Sequence, residues 1–252
     1  PYTSTTTPKH GKFGFFKSEL DCFRMVATEL GLIEKSADVF ARHPLVYLME
    51  AADDICYQVM DIEDAHKLKI LGIEEVTTLL TGFFNPERCR HITGVLDNID
   101  DDNEKVAYLR SCVVGELVGE CAKVFVDNEE CILNGEFEGC LIDHISPVAR
   151  NGYAECSRTA WRKIYNSPDV VDIELAVNQI ITFLLDRLID AVLLPEKNYS
   201  RLLLSRIPHQ YDTSSPTTYG KIQSVLDHIS GMTDVYALDL FRKLNGLSLP
   251  AV

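Results

Sequence analysis

The chain has 252 residues, 46% of them hydrophobic, enough to bury a sizeable core as one large or two smaller domains. A formal net charge of −14 sets the average surface against nucleic acid, so a polyanionic ligand needs a local basic pocket or a bound cation. No apolar run reaches the roughly eighteen residues of a membrane span.

Residues 1–8 are mostly Thr and Ser with no apolar stretch of the signal-peptide kind, and suit an exposed loop. An aromatic-rich turn around Gly11 and Gly14 leads to Ser18-Glu19-Leu20-Asp21, which reads as a helix start. Leu20, Phe23, Val26, Ala27 and Leu30 then repeat at helical spacing, and Gly31 ends the run. Pro44 marks the first turn of the next helix, where its missing N–H costs nothing. That helix runs without Gly or Pro to Leu71, and Gly72 breaks it.

A short helix over 73–80 and a turn at Gly82–Pro86 follow. The acidic run Asp97–Glu104 lacks the Gly and terminal Glu of a calcium loop, so it reads as a solvated lead into a helix. Val106, Leu109, Val113, Leu117, Cys121 and Val124 trace the buried stripe of that helix, and a second apolar stretch holds Leu141, Ile142 and Ile145. Residues 154–165 form a further helix with Trp161 assigned to the core. Asn166-Ser167-Pro168-Asp169 caps a strongly periodic helix over 170–194. After a Ser/Thr/Pro-rich linker at 212–218, one last helix over 219–244 carries Gly231-Met232-Thr233-Asp234 in its middle. No segment alternates as a strand does, and the fold class is all-α.

Eight cysteines form no C-x-x-C pair, and with no export signal they read as reduced thiols of a cytoplasmic protein, Cys56 buried among them. Chemistry concentrates in the Pro44 helix. Asp53, Tyr57 and Asp61 lie four residues apart and share one face over two turns. The two carboxylates stand roughly 12 Å apart along the axis, too far to pair directly. One can hold a cation while the other accepts from a hydroxyl between them; a solvated acidic face is the plainer alternative.

Three blocks carry a resemblance. Arg42-His43-Pro44-Leu45, Glu50-Ala51-Ala52-Asp53-Asp54-Ile55, Tyr57, Asp61 and Glu63-Asp64 give R-x-P-L-x-x-x-x-E-A-A-D-D-I-x-Y-x-x-x-D-x-E-D. Lys12-Phe13-Gly14-Phe15-Phe16-Lys17-Ser18-Glu19 precedes it, and Asp227 to Ala237 supplies D-H-I-S-G-M-T-D-V-Y-A. Together they resemble the deoxyguanosine triphosphate triphosphohydrolases, HD-domain phosphohydrolases that cut a dNTP to deoxynucleoside and tripolyphosphate through a metal-activated water. The resemblance implies that Asp53 is a metal ligand for Mg²⁺ or Mn²⁺, with Asp54 as the alternative, and that Tyr57 and Asp61 contact the deoxyribose 3′-OH. It also implies that Lys12 touches the phosphates, and that Glu174 and Arg201 lie near a base or effector pocket. A Gly-Tyr usual after that Glu is replaced by Val177-Asn178.

The family's remaining metal ligands include a His-Asp dipeptide, and none occurs in this chain. The chain therefore resembles the C-terminal part of a longer enzyme, holding one ligand of four and no catalytic residue, and is expected to be inactive alone. The expected division is 1–72 as the end of the catalytic core, 73–211 as a helical domain, and 212–252 as linker and C-terminal helix packing back on the core. Expected partners are a dNTP substrate, a dNTP effector and further copies of the chain. The alternatives are a helical oligomerisation or regulatory module, and an HD phosphohydrolase of another nucleotide.

Overall fold

The computed structural model describes residues 15–248, so Lys12 lies outside them. The chain forms two compact units, Pro1–Asn166 and Ser167–Val252. These boundaries differ from the expected breaks after 72 and 211. The central helix shares one core with the helices that follow it, and residues on both sides of the 212–218 segment share another.

In the first unit, α1 (Leu20–Glu29) is followed by a short antiparallel hairpin, β1 (Glu34–Ser36) and β2 (Val39–Phe40), with Glu34 opposite Phe40. The sequence reading found no strand because two or three residues with no clear alternation carry no period-two signal. Arg24 fixes the turn instead, its Nε and Nη2 donating to the two oxygens of Asp38 at 2.6 and 2.8 Å. Phe15 stacks on Phe23 at 4.2 Å, and Phe23 meets Phe40 edge-on.

The central helix α2 spans Pro44–Lys67 with Pro44 in its first turn and the His43 ring accepting from the Leu45 N–H. Tyr47, Ala51, Ile55, Gln58, Val59, Ile62 and Ala65 form its buried face. Cys56 is exposed rather than buried, because Ile55 takes the inward position and the next residue turns about 100° away. The eight cysteines are all free thiols. Helices α3 (Ile73–Thr81) and α4 (Pro86–Leu96) lead to α5 (Asp102–Asp127), capped by the Asp101 carboxylate accepting from Glu104 N–H at 2.9 Å. The buried residues of α5 are those its apolar spacing predicts. They pack against α2, and Arg110 of α5 donates to the buried Glu63 carboxylate at 2.7 Å. After α6 (Glu129–Leu133) and a 3₁₀ turn at Leu141–His144, α7 (Pro147–Thr159) passes into a single π-helical turn, Ala160–Ile164. Gly152 lets α7 approach Phe83 so closely that a Cβ there would lie 2.9 Å from its ring.

The second unit holds α8 (Pro168–Leu193), α9 (Asn198–Leu204), α10 (Thr218–Ser230) and α11 (Asp234–Leu244). Its core joins Leu184, Leu188 and Val192 to Leu203, Val225, Ile229 and Leu240. The single last helix of the sequence reading is two helices. Gly231 ends α10, and the Thr233 hydroxyl accepts from the Tyr236 N–H to start α11. Gly231 also admits the Tyr211 hydroxyl, which a Cβ would meet at 2.6 Å. Among the described residues no helix is long and apolar enough to cross a membrane.

Candidate functional site

Helix α2 turns Asp53, Tyr57 and Asp61 outward along one row, as their four-residue spacing dictates. Asp53 and Tyr57 are exposed, the latter 61%, and Asp61 is half-buried. Asp54, a step round the helix, is half-buried as well, and its backbone carbonyl accepts from the Tyr153 hydroxyl at 3.3 Å. The remaining motif residues serve structure. Arg42 donates to Glu50 at 2.5 Å and to the Gly139 carbonyl at 2.6 Å while lying 4.2 Å over the Tyr47 ring. Tyr47 donates to the Phe137 carbonyl, so the start of α2 grips the loop before the 3₁₀ turn.

The far end of the row is completed from a distance. Tyr165, directly after the π-helical turn, donates its hydroxyl to Asp61 Oδ2. Burial, with the neighbouring Asp61 and Tyr57, raises the Tyr165 phenol above its ordinary pKa, so it stays protonated and a donor. Asp61 has two oxygens and about four acceptor positions, and Tyr165 takes one of them, leaving Oδ1 available to a ligand hydroxyl. The α7 strut beneath is tied to α2 by the Ser157 hydroxyl, which donates to the buried Gln58 Oε1 at 2.5 Å. Trp161 packs edge-on to Tyr165 with ring centres 6.3 Å apart, and Asn166 Nδ2 donates to the Trp161 carbonyl. Contrary to its core assignment, Trp161 is 69% exposed. Cys156, Ala160 and Ile164 hold the inward positions four apart, which turns the indole outward.

A profile described as a phosphohydrolase-associated domain matches residues 144–243. A deoxyguanosinetriphosphate triphosphohydrolase-like protein of Pseudomonas aeruginosa (strain LESB58) is 31% identical over 251 residues, covering 96% of this chain and 56% of its own length. Its counterpart in Synechocystis is 32% identical over 94% of the chain and 53% of its own length. The chain is similar over nearly its whole length to proteins named deoxyguanosinetriphosphate triphosphohydrolase-like. A Yersinia enterocolitica deoxyguanosinetriphosphate triphosphohydrolase is more distant, at 26% identity over 92% of the chain. The chain spans about half the length of the curated relatives it matches, on their C-terminal part.

Similarity to these proteins makes the fit of a divalent metal a question for the geometry. Among the described residues no group of three His, Cys, Asp or Glu side chains is placed to hold one. Asp53 offers the hard carboxylate such an ion prefers, but one carboxylate alone does not make a site, and these residues by themselves do not fit the ion. Glu174 is exposed in the first half of α8, and Arg201 lies on α9 with its guanidinium donating to the Glu196 carbonyl at 3.0 Å. Both belong to the second unit. Tyr165 and Trp161 are the residues that sequence reasoning missed. Their only local signal is a pair of aromatics four apart, just before the Asn-Ser-Pro break.

Proposed function

We propose that this chain is the deoxynucleotide-recognising part of a dNTP triphosphohydrolase, with dGTP as substrate. Its own share of the work is to hold the sugar of the substrate. Asp61 accepts from the deoxyribose 3′-OH, and Tyr57 packs on the sugar and leaves no room for a 2′-OH. Asp53 contributes one carboxylate toward a divalent cation whose other ligands are not among residues 15–248. Lys12, outside the described residues, contacts the phosphates. The reading includes self-association of the protein in a soluble compartment.

The observation that carries it is the cluster of Tyr57 and Asp61 on α2 with Tyr165, which donates to Asp61 from beyond the π-helical turn. A carboxylate with one oxygen satisfied, set beside an exposed phenol ring, matches the demands of a hydroxyl on a flat, partly apolar sugar. Asp61→Asn exchanges one acceptor oxygen for a donor. It is expected to weaken dGTP binding about tenfold, the scale of a hydrogen bond to a charged group, while binding of 2′,3′-dideoxy-GTP stays within twofold of wild type (roughly 0.4 kcal/mol). Titration calorimetry on the full-length protein gives both affinities. Equal losses for the two nucleotides remove Asp61 from the 3′-OH.

A further inference from the structure

We propose that Trp161 is the platform on which the base of the bound nucleotide stacks. The inference rests on the deoxynucleotide reading of the Asp61 site and extends it from sugar to base. Three features of the first unit carry it. The indole is 69% exposed, although a large apolar ring gains by burial and its neighbours Ala160 and Ile164 are buried. It stands edge-on to Tyr165, the phenol that donates to Asp61, so it lies one ring beyond the proposed sugar contact. The backbone beneath it is a π-helical turn, closed by Asn166 donating to the Trp161 carbonyl. Such turns are rare and concentrate at functional sites. Here the turn carries Trp161 and is followed at once by Tyr165, the residue that reaches Asp61 of α2.

Tyr165 meets the indole in a T-shaped contact, and the 69% exposure of Trp161 leaves ring area open to a ligand. A base has a π-face whatever its hydrogen-bonding edge, so stacking here supplies affinity and favours large purine rings over pyrimidines without reading the edge. Base preference then comes from ring area at Trp161 rather than from a polar pocket.

Trp161 is the only tryptophan of the chain, so its emission reports the site directly. The test titrates the chain, and its Asp61→Asn, Trp161→Phe and Trp161→Ala variants, with dGTP and with 2-deoxyribose 5-phosphate, which lacks a base. The full-length protein is measured alongside by calorimetry. Expected are quenching of Trp161 emission by dGTP and none by the sugar phosphate. A loss of dGTP affinity of about tenfold is expected in Trp161→Ala, the scale of one base on one aromatic ring, with most of it restored in Trp161→Phe. Because the side chain is exposed, circular dichroism of all variants is expected to match wild type. Binding of dGTP that responds to Asp61→Asn but not to Trp161→Ala, with unchanged emission, overturns the stacking and leaves the nucleotide reading standing. No dGTP binding by either chain or full-length protein overturns both. Emission that shifts with protein concentration and not with nucleotide places a second copy on the indole, and also overturns the proposal.

Discussion

Tyr165 donates to one oxygen of Asp61, and removing that hydroxyl separates the positioning of a carboxylate from its charge. Tyr165→Phe keeps the ring, its contact with Trp161 and the charge of Asp61, and deletes only the donor. The carboxylate then rotates more freely and pays more entropy when it captures a ligand hydroxyl. Deoxynucleotide binding is expected to weaken about five- to tenfold, near 1 to 1.5 kcal/mol. The melting temperature is expected to move little, because the loss falls on a half-buried pair at the rim rather than in the core. Calorimetry and thermal melting on the same variant decide the matter: a large drop in melting temperature with unchanged affinity makes the contact purely structural. The same pair shows what the sequence reveals and what it does not. Asp53, Tyr57 and Asp61 are legible as a row because their relation is local, four residues on one helix. The Asp61–Tyr165 contact joins residues 104 apart, and no periodicity encodes it.

Among the elements, legibility followed the length of the repeat. Helix α5 offers six inward residues in regular order, and the sequence places every one of them. In α11 and α10 the apolar spacing continues across Gly231–Thr233, so periodicity alone draws a single helix. The break is local chemistry instead: a glycine at the end of one helix and a threonine capping the next. Helix α8 holds the largest mismatch between pattern and burial. Its apolar residues recur along its whole length, yet residues 172–179 are all exposed, including Ile173 at 63% and Leu175 at 65%. Burial begins only toward Leu184, where the second unit's core starts. Exposed apolar side chains at helical spacing, such as Ile173 and Val177, are the kind of surface that protein contacts use. The proposed self-association is expected to use it, and Ile173→Asp combined with Val177→Asp, four residues apart on one face, is expected to lower the assembly state. Sedimentation at matched concentrations, with helicity checked by circular dichroism, tests this; an unchanged distribution of species places the contact elsewhere.

At the scale of the whole molecule, the two units differ in how they bury charge, and acid separates them. In the second unit His228 is buried, 5.1 Å from the Tyr211 ring, beside Asp227, whose carboxylate accepts from Gln223. Burial lowers the His228 pKa below the ordinary 6.5, because the folded state favours the neutral ring. The unfolded chain therefore binds more protons, and stability that is complete above 6.5 is lost as pH falls through 6.5 toward the folded value. In the first unit the sign is the same but the window is lower. Burial works to raise the Glu63 pKa, and the hydrogen bonds from Lys67 and Arg110 outweigh it, holding the carboxyl below 4.5. That contribution persists until pH falls through the depressed value. Between 6.5 and 4.5 the second unit is thus expected to weaken while the Glu63 tie between α2 and α5 holds. Amide exchange one pH unit above and one below 6.5, corrected for the intrinsic rate, is expected to show protection lost in α8 and α10 and kept in α2 and α5. His228→Gln, which removes the titrating ring, is expected to abolish the difference. Equal loss in both units, or loss that survives His228→Gln, shows that another group governs the acid response.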